Sequence, residues 1–110
     1  MRQQFVVEIN SVRAVIAKLL SDGHPNLEQV AAELKVSPRT LQRHLSHHGI
    51  SHSQLVDQVR QEYASNWLHR SPMSVGEIAQ RLGYSDAGSF TRAFERWTGV
   101  SPREFRKGAD

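Results

Sequence analysis

Two arginines and a glutamine, Arg39, Gln42 and Arg43, fall within five residues of the stretch SPRTLQRHL, around two leucines spaced four apart. With Leu41 and Leu45 facing inward, a helix turning about 100° per residue points Arg39, Gln42, Arg43 and Ser46 outward and leaves Thr40 and His47 at the flanks. These residue types suit the edges of base pairs: an arginine forks onto guanine O6 and N7, and a glutamine pairs with adenine N6 and N7. Hydroxyls such as those of Ser37 and Thr40 suit phosphate oxygens. On an exposed helix the same side chains also serve as plain solvated polar residues.

A second set follows from Ser85 to Trp97. With Phe90, Phe94 and Trp97 inward, the outward residues are Gly88, Ser89, Arg92, Glu95 and Arg96. Arg92 is the one evident base reader, while Ser85, Ser89 and Arg96 suit phosphate or flanking contacts. Glu95 either accepts from cytosine N4 or is solvated beside Arg92. Gly88 either admits a close backbone approach or costs about 1 kcal/mol relative to alanine within a helix. Ser85 is expected to cap this helix, and Asp86, in its first turn, favours the helix dipole.

Other chemistry finds no support in the pattern. His44, His48 and His52 step by four with His47 beside them, but a break at Gly49 separates His52, and His44 turns towards the core. No metal site is therefore expected, and these histidines read as loop and surface residues that touch phosphate when protonated. The chain has no cysteine, which excludes disulfides, cysteine-ligated zinc and a thiol nucleophile. Serines sit at caps and acids are spread along helix faces, so no catalytic constellation and no cofactor are expected. Tyr63, Trp67, Phe90, Phe94, Trp97 and Phe105 recur at helical spacing and read as core.

The elements that must hold these side chains are all helical. Met1 to Gln4 is polar and expected to fray. From Phe5 onward Ile9, Val12, Ile16, Leu19 and Leu20 trace one helical face ending at Asp22 and Gly23. Asn26 caps a second helix carrying Leu27, Val30, Ala31 and Leu34, and Ser37 with Pro38 opens a third that stops at Gly49. The pattern then repeats. Val75, Ile78, Ala79 and Leu82 form a short helix after Ser74, Gly83 breaks it, a second helix ends at Gly99, and Ser101 with Pro102 starts another. Val30 matches Ile78 at an offset of 48, Arg43 matches Arg92 at 49, and Gly49 matches Gly99 at 50. Each copy is a helix-turn-helix, whose second helix fits a DNA major groove.

Between the copies Leu55, Val59, Tyr63 and Trp67 follow i, i+4 spacing, broadened by Val56, Ala64 and Leu68. One continuous helix from Ser51 to His69 is expected, roughly 28 Å long at 1.5 Å per residue. That length is comparable to the roughly 34 Å between successive major-groove segments on one face of DNA. The chain thus reads as a single all-α domain over 1–110. Its first helix-turn-helix subdomain covers 5–50, its linking helix 51–70 and its second subdomain 74–107.

At 110 residues this chain is long enough for a modest core. Its 38% hydrophobic content is low, yet it is gathered into periodic segments, which argues against disorder. The formal charge of +3 and sequence pI of about 9.8 favour a polyanionic partner. No apolar run approaches the roughly 18 residues of a membrane span, so no membrane partner and a cytoplasmic, nucleoid-associated location are expected.

The paired units, the linking helix, IAQRLGY, SFTRAF and the TGVSPREFR close together resemble the DNA-binding domain of AraC/XylS-type bacterial transcription regulators. The resemblance covers nearly the whole chain. It implies a fold of about seven helices, with two helix-turn-helix subdomains joined by a long helix, and sequence-specific binding of double-stranded DNA at promoters. It also implies base reading at the positions of Arg39, Gln42 and Arg43. Family members often carry longer polar side chains where this chain has Ala87 and Gly88, which weakens the second helix as a reader. The partners expected are double-stranded DNA, RNA polymerase and an N-terminal effector or dimerisation domain outside this chain. The alternative is a protein-interaction module that keeps the fold without reading bases.

Overall fold

A computed structural model describes residues 8–108. These form seven α-helices: α1 (Ile9–Leu19), α2 (Leu27–Leu34), α3 (Pro38–His47), α4 (His52–Arg70), α5 (Val75–Arg81), α6 (Ala87–Thr98) and α7 (Pro102–Lys107), with a 3₁₀ turn at Leu20–Asp22. The starts are set by local chemistry. Asn26, Ser51, Ser74 and Ser101 each accept the backbone N–H three residues on, and Gln29, Gln54, Glu77 and Glu104 return the bond to the cap's own N–H. Each such box satisfies two donors that a helix end otherwise leaves unpaired. The expectation of a helix from Phe5 falls partly outside the described residues; within them α1 begins at Ile9 after Glu8.

Helix α1 packs on α2 and α4, and α2 on α3, around Val12, Ile16, Val30, Leu41 and Leu45. In the second unit α6 packs on α5 and α7 around Ile78, Leu82, Phe90 and Phe94. Phe94 meets Phe105 of α7 edge-on, with centroids 5.1 Å apart. The molecule measures 55 × 24 × 21 Å, with a radius of gyration of 15.5 Å, against about 13 Å for a compact chain of this length. Two small units strung along one helix produce that elongation.

The burial of α4 corrects the stripe expected from its spacing. Tyr63 is 40% exposed and Trp67 half-buried, whereas Leu55, Val56, Val59, Ala64 and Leu68 are buried. At about 100° per residue, Ala64 and Leu68 lie about 180° to 220° round the helix from Leu55. The N-terminal half is thus covered from one side and the C-terminal half from nearly the opposite one. Its neighbours change along its length: α1 borders the middle of the helix at Val59, Glu62 and Tyr63, and α7 holds its C-terminal end through Arg106. Tyr63 sits where the buried face changes sides, its ring tilted against that of Trp67 with centroids 5.4 Å apart, beside the ion pair of Arg13 and Glu62.

The two units also touch directly, since α5 packs on the 3₁₀ turn. Gly83, at φ +86°, lies so close to that turn that a Cβ would come within 2.2 Å of the Leu20 carbonyl oxygen and 2.8 Å of that of Gly23. The other end of α4 is closed by Arg106 of α7. Its guanidinium donates to the carbonyls of Leu68 (2.9 Å), Met73 (2.6 Å), Ser71 (3.2 Å) and Trp67 (3.4 Å).

Candidate nucleic-acid interface

Helix α3 is anchored from below and capped at its start. Leu41 and Leu45 are fully buried, and the Ser37 hydroxyl accepts from the Thr40 N–H at 3.0 Å while donating to the Thr40 hydroxyl at 2.9 Å. Ser37 is therefore spent on the helix itself, and Thr40 keeps its own hydroxyl hydrogen for an outside acceptor. Arg39, Gln42, Arg43 and His47 are exposed. Among the described residues no carboxylate lies within ion-pair distance of Arg39 or Arg43. The helix carries no acid at all, so its outer face is uniformly positive or polar.

Helix α6 has the same plan with a different cap. Ser85 was expected to cap it; instead Asp86 is the N-cap, and its carboxylate accepts from the Ser89 N–H at 2.7 Å. The reason is register: the left-handed Gly83 follows α5, three residues pass before the helix begins at Ala87, and the extended Asp86 is the last of them, which leaves Ser85 exposed one position early. The bond from the Ser89 backbone holds the Asp86 carboxyl below the usual aspartate range. A group depressed in the folded state stabilises above its ordinary value of 3.8 and loses that contribution as pH falls through the lower folded value. Asp86→Ala is thus expected to lower the melting temperature at neutral pH, with the difference closing under strong acid, and Ser85→Ala to leave it unchanged; thermal scans at several pH values check both.

Above that cap Arg92 and Arg96 are exposed and Ser89 is half-buried. Arg92 reaches the Ser89 hydroxyl at 3.4 Å, and its guanidinium lies across the first turn, where a Cβ on Gly88 would be 3.4 Å from Nη1 and 3.3 Å from the Asp86 carboxylate. The glycine therefore leaves room for Arg92 to lie back over the helix start.

The internal repeat is spatial as well as sequential. A crevice beside α3 is bordered by Leu27, Gln42, Ser51 and His52, and one beside α6 by Val75, Thr91, Ser101 and Pro102. The pairs are offset by 48, 49, 50 and 50, the drift already present in the sequence. Gln42 thus stands at the edge of the outer face, against the start of the next helix, and Thr91 holds the equivalent place. Sequence reasoning did not single out Thr91, although the offset of 49 that pairs Arg43 with Arg92 leads to it.

The histidines separate into two groups. His44 and His48 face each other at the end of α3 with ring centroids 4.9 Å apart. His52 Nε2 lies 2.7 Å from the Pro25 carbonyl on the far side of the helix break, near His24. Among the described residues no group of three or more histidines and acids is placed to hold a metal ion. No helix among them is long and apolar enough to cross a membrane.

The family model described as a helix-turn-helix domain matches residues 30–108. Over 83 residues the chain is 43% identical to the ornithine utilization regulator of Pseudomonas aeruginosa, a match covering 76% of this chain and 24% of that protein. Its fold is similar to that of the C-terminal domain of AraT, a response regulator from Geobacillus stearothermophilus (TM-score 0.79, 34% identity, 96% of this chain and 88% of that one). It is also similar to the DNA-binding domain of AdpA, a global transcriptional factor solved in complex with a target DNA (TM-score 0.74, 29% identity, 90% and 89%). The chain spans between 24% and 32% of the length of the curated relatives it matches.

Proposed function

The chain belongs to the AraC-type helix-turn-helix family of transcription regulators, and on that premise we propose that it binds duplex DNA in a sequence-specific way through α3 and α6, set in successive major-groove segments. The observation that carries this reading is the pair of capped, core-anchored helices bearing Arg39, Arg43 and Arg92, all exposed and none within ion-pair distance of a carboxylate among the described residues. The guanidinia of Arg39 and Arg43 have no protein partner to leave among the described residues, and that of Arg92 gives up only a long bond to the Ser89 hydroxyl, so all three lose little on meeting DNA. Arg39, Gln42, Arg43 and Arg92 read bases; Thr40, His47, Ser85, Ser89 and Arg96 flank them at phosphates, with Ser37 ordering the helix start that presents them. Phosphate contacts supply most of the affinity, so binding falls steeply with salt.

The chain acts as one DNA-binding domain, and its relatives' greater length leaves room for an N-terminal effector or dimerisation domain. As part of a regulator it works with RNA polymerase in the cytoplasm, at the nucleoid. Selection from a random duplex pool tests the reading: two preferred blocks about one helical turn apart support it, and absence of any salt-sensitive duplex binding turns the chain into a protein-interaction module. On the selected site Arg43→Ala is expected to cost about 1 to 3 kcal/mol and relax one base position. Equal weakening on every sequence reassigns Arg43 to phosphate.

A further inference from the structure

Arg60 is the one charged residue in the buried face of α4, at 6% exposure. Its Nε donates to the carbonyl of Leu82 at 3.0 Å, and its guanidinium carbon lies 4.4 Å from the centre of the Tyr84 ring. On the other side Nη1 lies 3.5 Å from His24 Nδ1, at the long end of hydrogen-bond range. Leu82 and Tyr84 flank Gly83 in the turn that leads into α6, and His24 belongs to the loop ahead of α2. Tyr84 in turn packs on Phe90, the buried ring of α6, with centroids 5.7 Å apart. One guanidinium on the linking helix therefore touches both units, and through Tyr84 it bears on the second recognition helix.

Among the described residues no carboxylate lies within ion-pair distance of Arg60. A buried cation without such a partner is a costly way to fill a core position that leucine or methionine would also fill. What an arginine supplies instead is direction: its fork accepts one angle to a carbonyl, and its flat face one orientation over a ring. Apolar contacts are non-directional and hold the second unit against α4 without setting so definite an angle. His24 fits the same picture, since loss of water, then the charge of Arg60 and then His52, hold its ring below the ordinary histidine range, with Asp57 opposing. Kept unprotonated, its Nδ1 accepts from Arg60 rather than repelling it.

We propose that Arg60 is a positioning residue that fixes the angle between α3 and α6, and with it the half-site spacing the chain accepts. The proposal rests on the two-headed reading above. One added base pair shifts a half-site by about 3.4 Å and about 34°, a rotation that a clamped pair of heads resists and a loosened pair follows. The test uses duplexes selected by the wild-type chain, remade with one base pair inserted or removed between the blocks, and single-block duplexes as controls. For the wild type, the insertion is expected to weaken binding at least about tenfold. For Arg60→Met the same change is expected to cost less than about threefold, with single-block affinity unaltered. Tyr84→Leu, which removes the ring and keeps the Leu82 bond, gives an intermediate penalty and serves as the readout if Arg60→Met does not fold. A purely structural Arg60 predicts uniform weakening with the spacing penalty intact in both variants, and that result overturns the proposal alone. Recovery of a single preferred block overturns the two-headed reading and the proposal with it.

Discussion

Gly83→Ala is expected to destabilise the fold by about 3 kcal/mol or more and lower the melting temperature by about 10 °C or more. Two penalties coincide. The residue sits at φ +86°, where a Cβ costs about 1 kcal/mol. That Cβ would also lie 2.2 Å from the Leu20 oxygen, which belongs to the backbone of a 3₁₀ turn and cannot rotate away. Gly49 separates the two effects: its φ is +70° but nothing lies within 4 Å of a Cβ there, so Gly49→Ala should cost only about 1 kcal/mol. Thermal or urea unfolding of the two variants side by side measures the difference. Similar losses at both positions show that the contact between the units carries no energy of its own.

Arg106→Ala is expected to cost about 2 to 4 kcal/mol, read as a lower urea midpoint at unchanged slope. Four carbonyls, at the end of α4 and in the loop to α5, take bonds from this one guanidinium. Removing it takes a donor from the carbonyls of Leu68, Ser71 and Met73, while that of Trp67 keeps its bonds from Ser71, and unfastens α7 from the linking helix. Arg106→Lys should recover less than half of the loss, because a single ammonium cannot reproduce the planar fork. Full rescue by lysine shows that charge at the helix C-terminus, rather than geometry, is what matters.

Helix starts were legible because a cap is decided within four residues: Asn26, Ser37, Ser74 and Ser101 all hold the role their sequence context suggests, while Ser51, read as the first residue of the linking helix, is its cap. The exception was instructive. Ser85 and Asp86 are both competent caps, side by side, and the choice between them depended on where the turn under Tyr84 ended. Helical spacing likewise identified Leu41, Leu45, Phe90 and Phe94 as inward, and so left the arginines of α3 and α6 on the outer face. It misjudged Tyr63, because a periodic stripe assumes one partner along the whole helix, and α4 has different partners at its two ends. The first unit shows the same limit from another side: Lys35 holds the left-handed turn that Gly83 holds in the second, so glycine is demanded by what packs outside one turn, not by the turn itself.

By itself the sequence determined the helical content, the doubled motif and the set of exposed donors, since caps, breaks and periodicity act over a few residues. Only the tertiary structure decided how the two units are joined. The Gly83 contact with Leu20, the Arg60 bond to Leu82, and the Arg106 fork over the end of α4 link residues 22 to 63 positions apart, and in each a backbone carbonyl is the partner. Every residue carries that carbonyl, so the composition of the chain holds no trace of which ones are used.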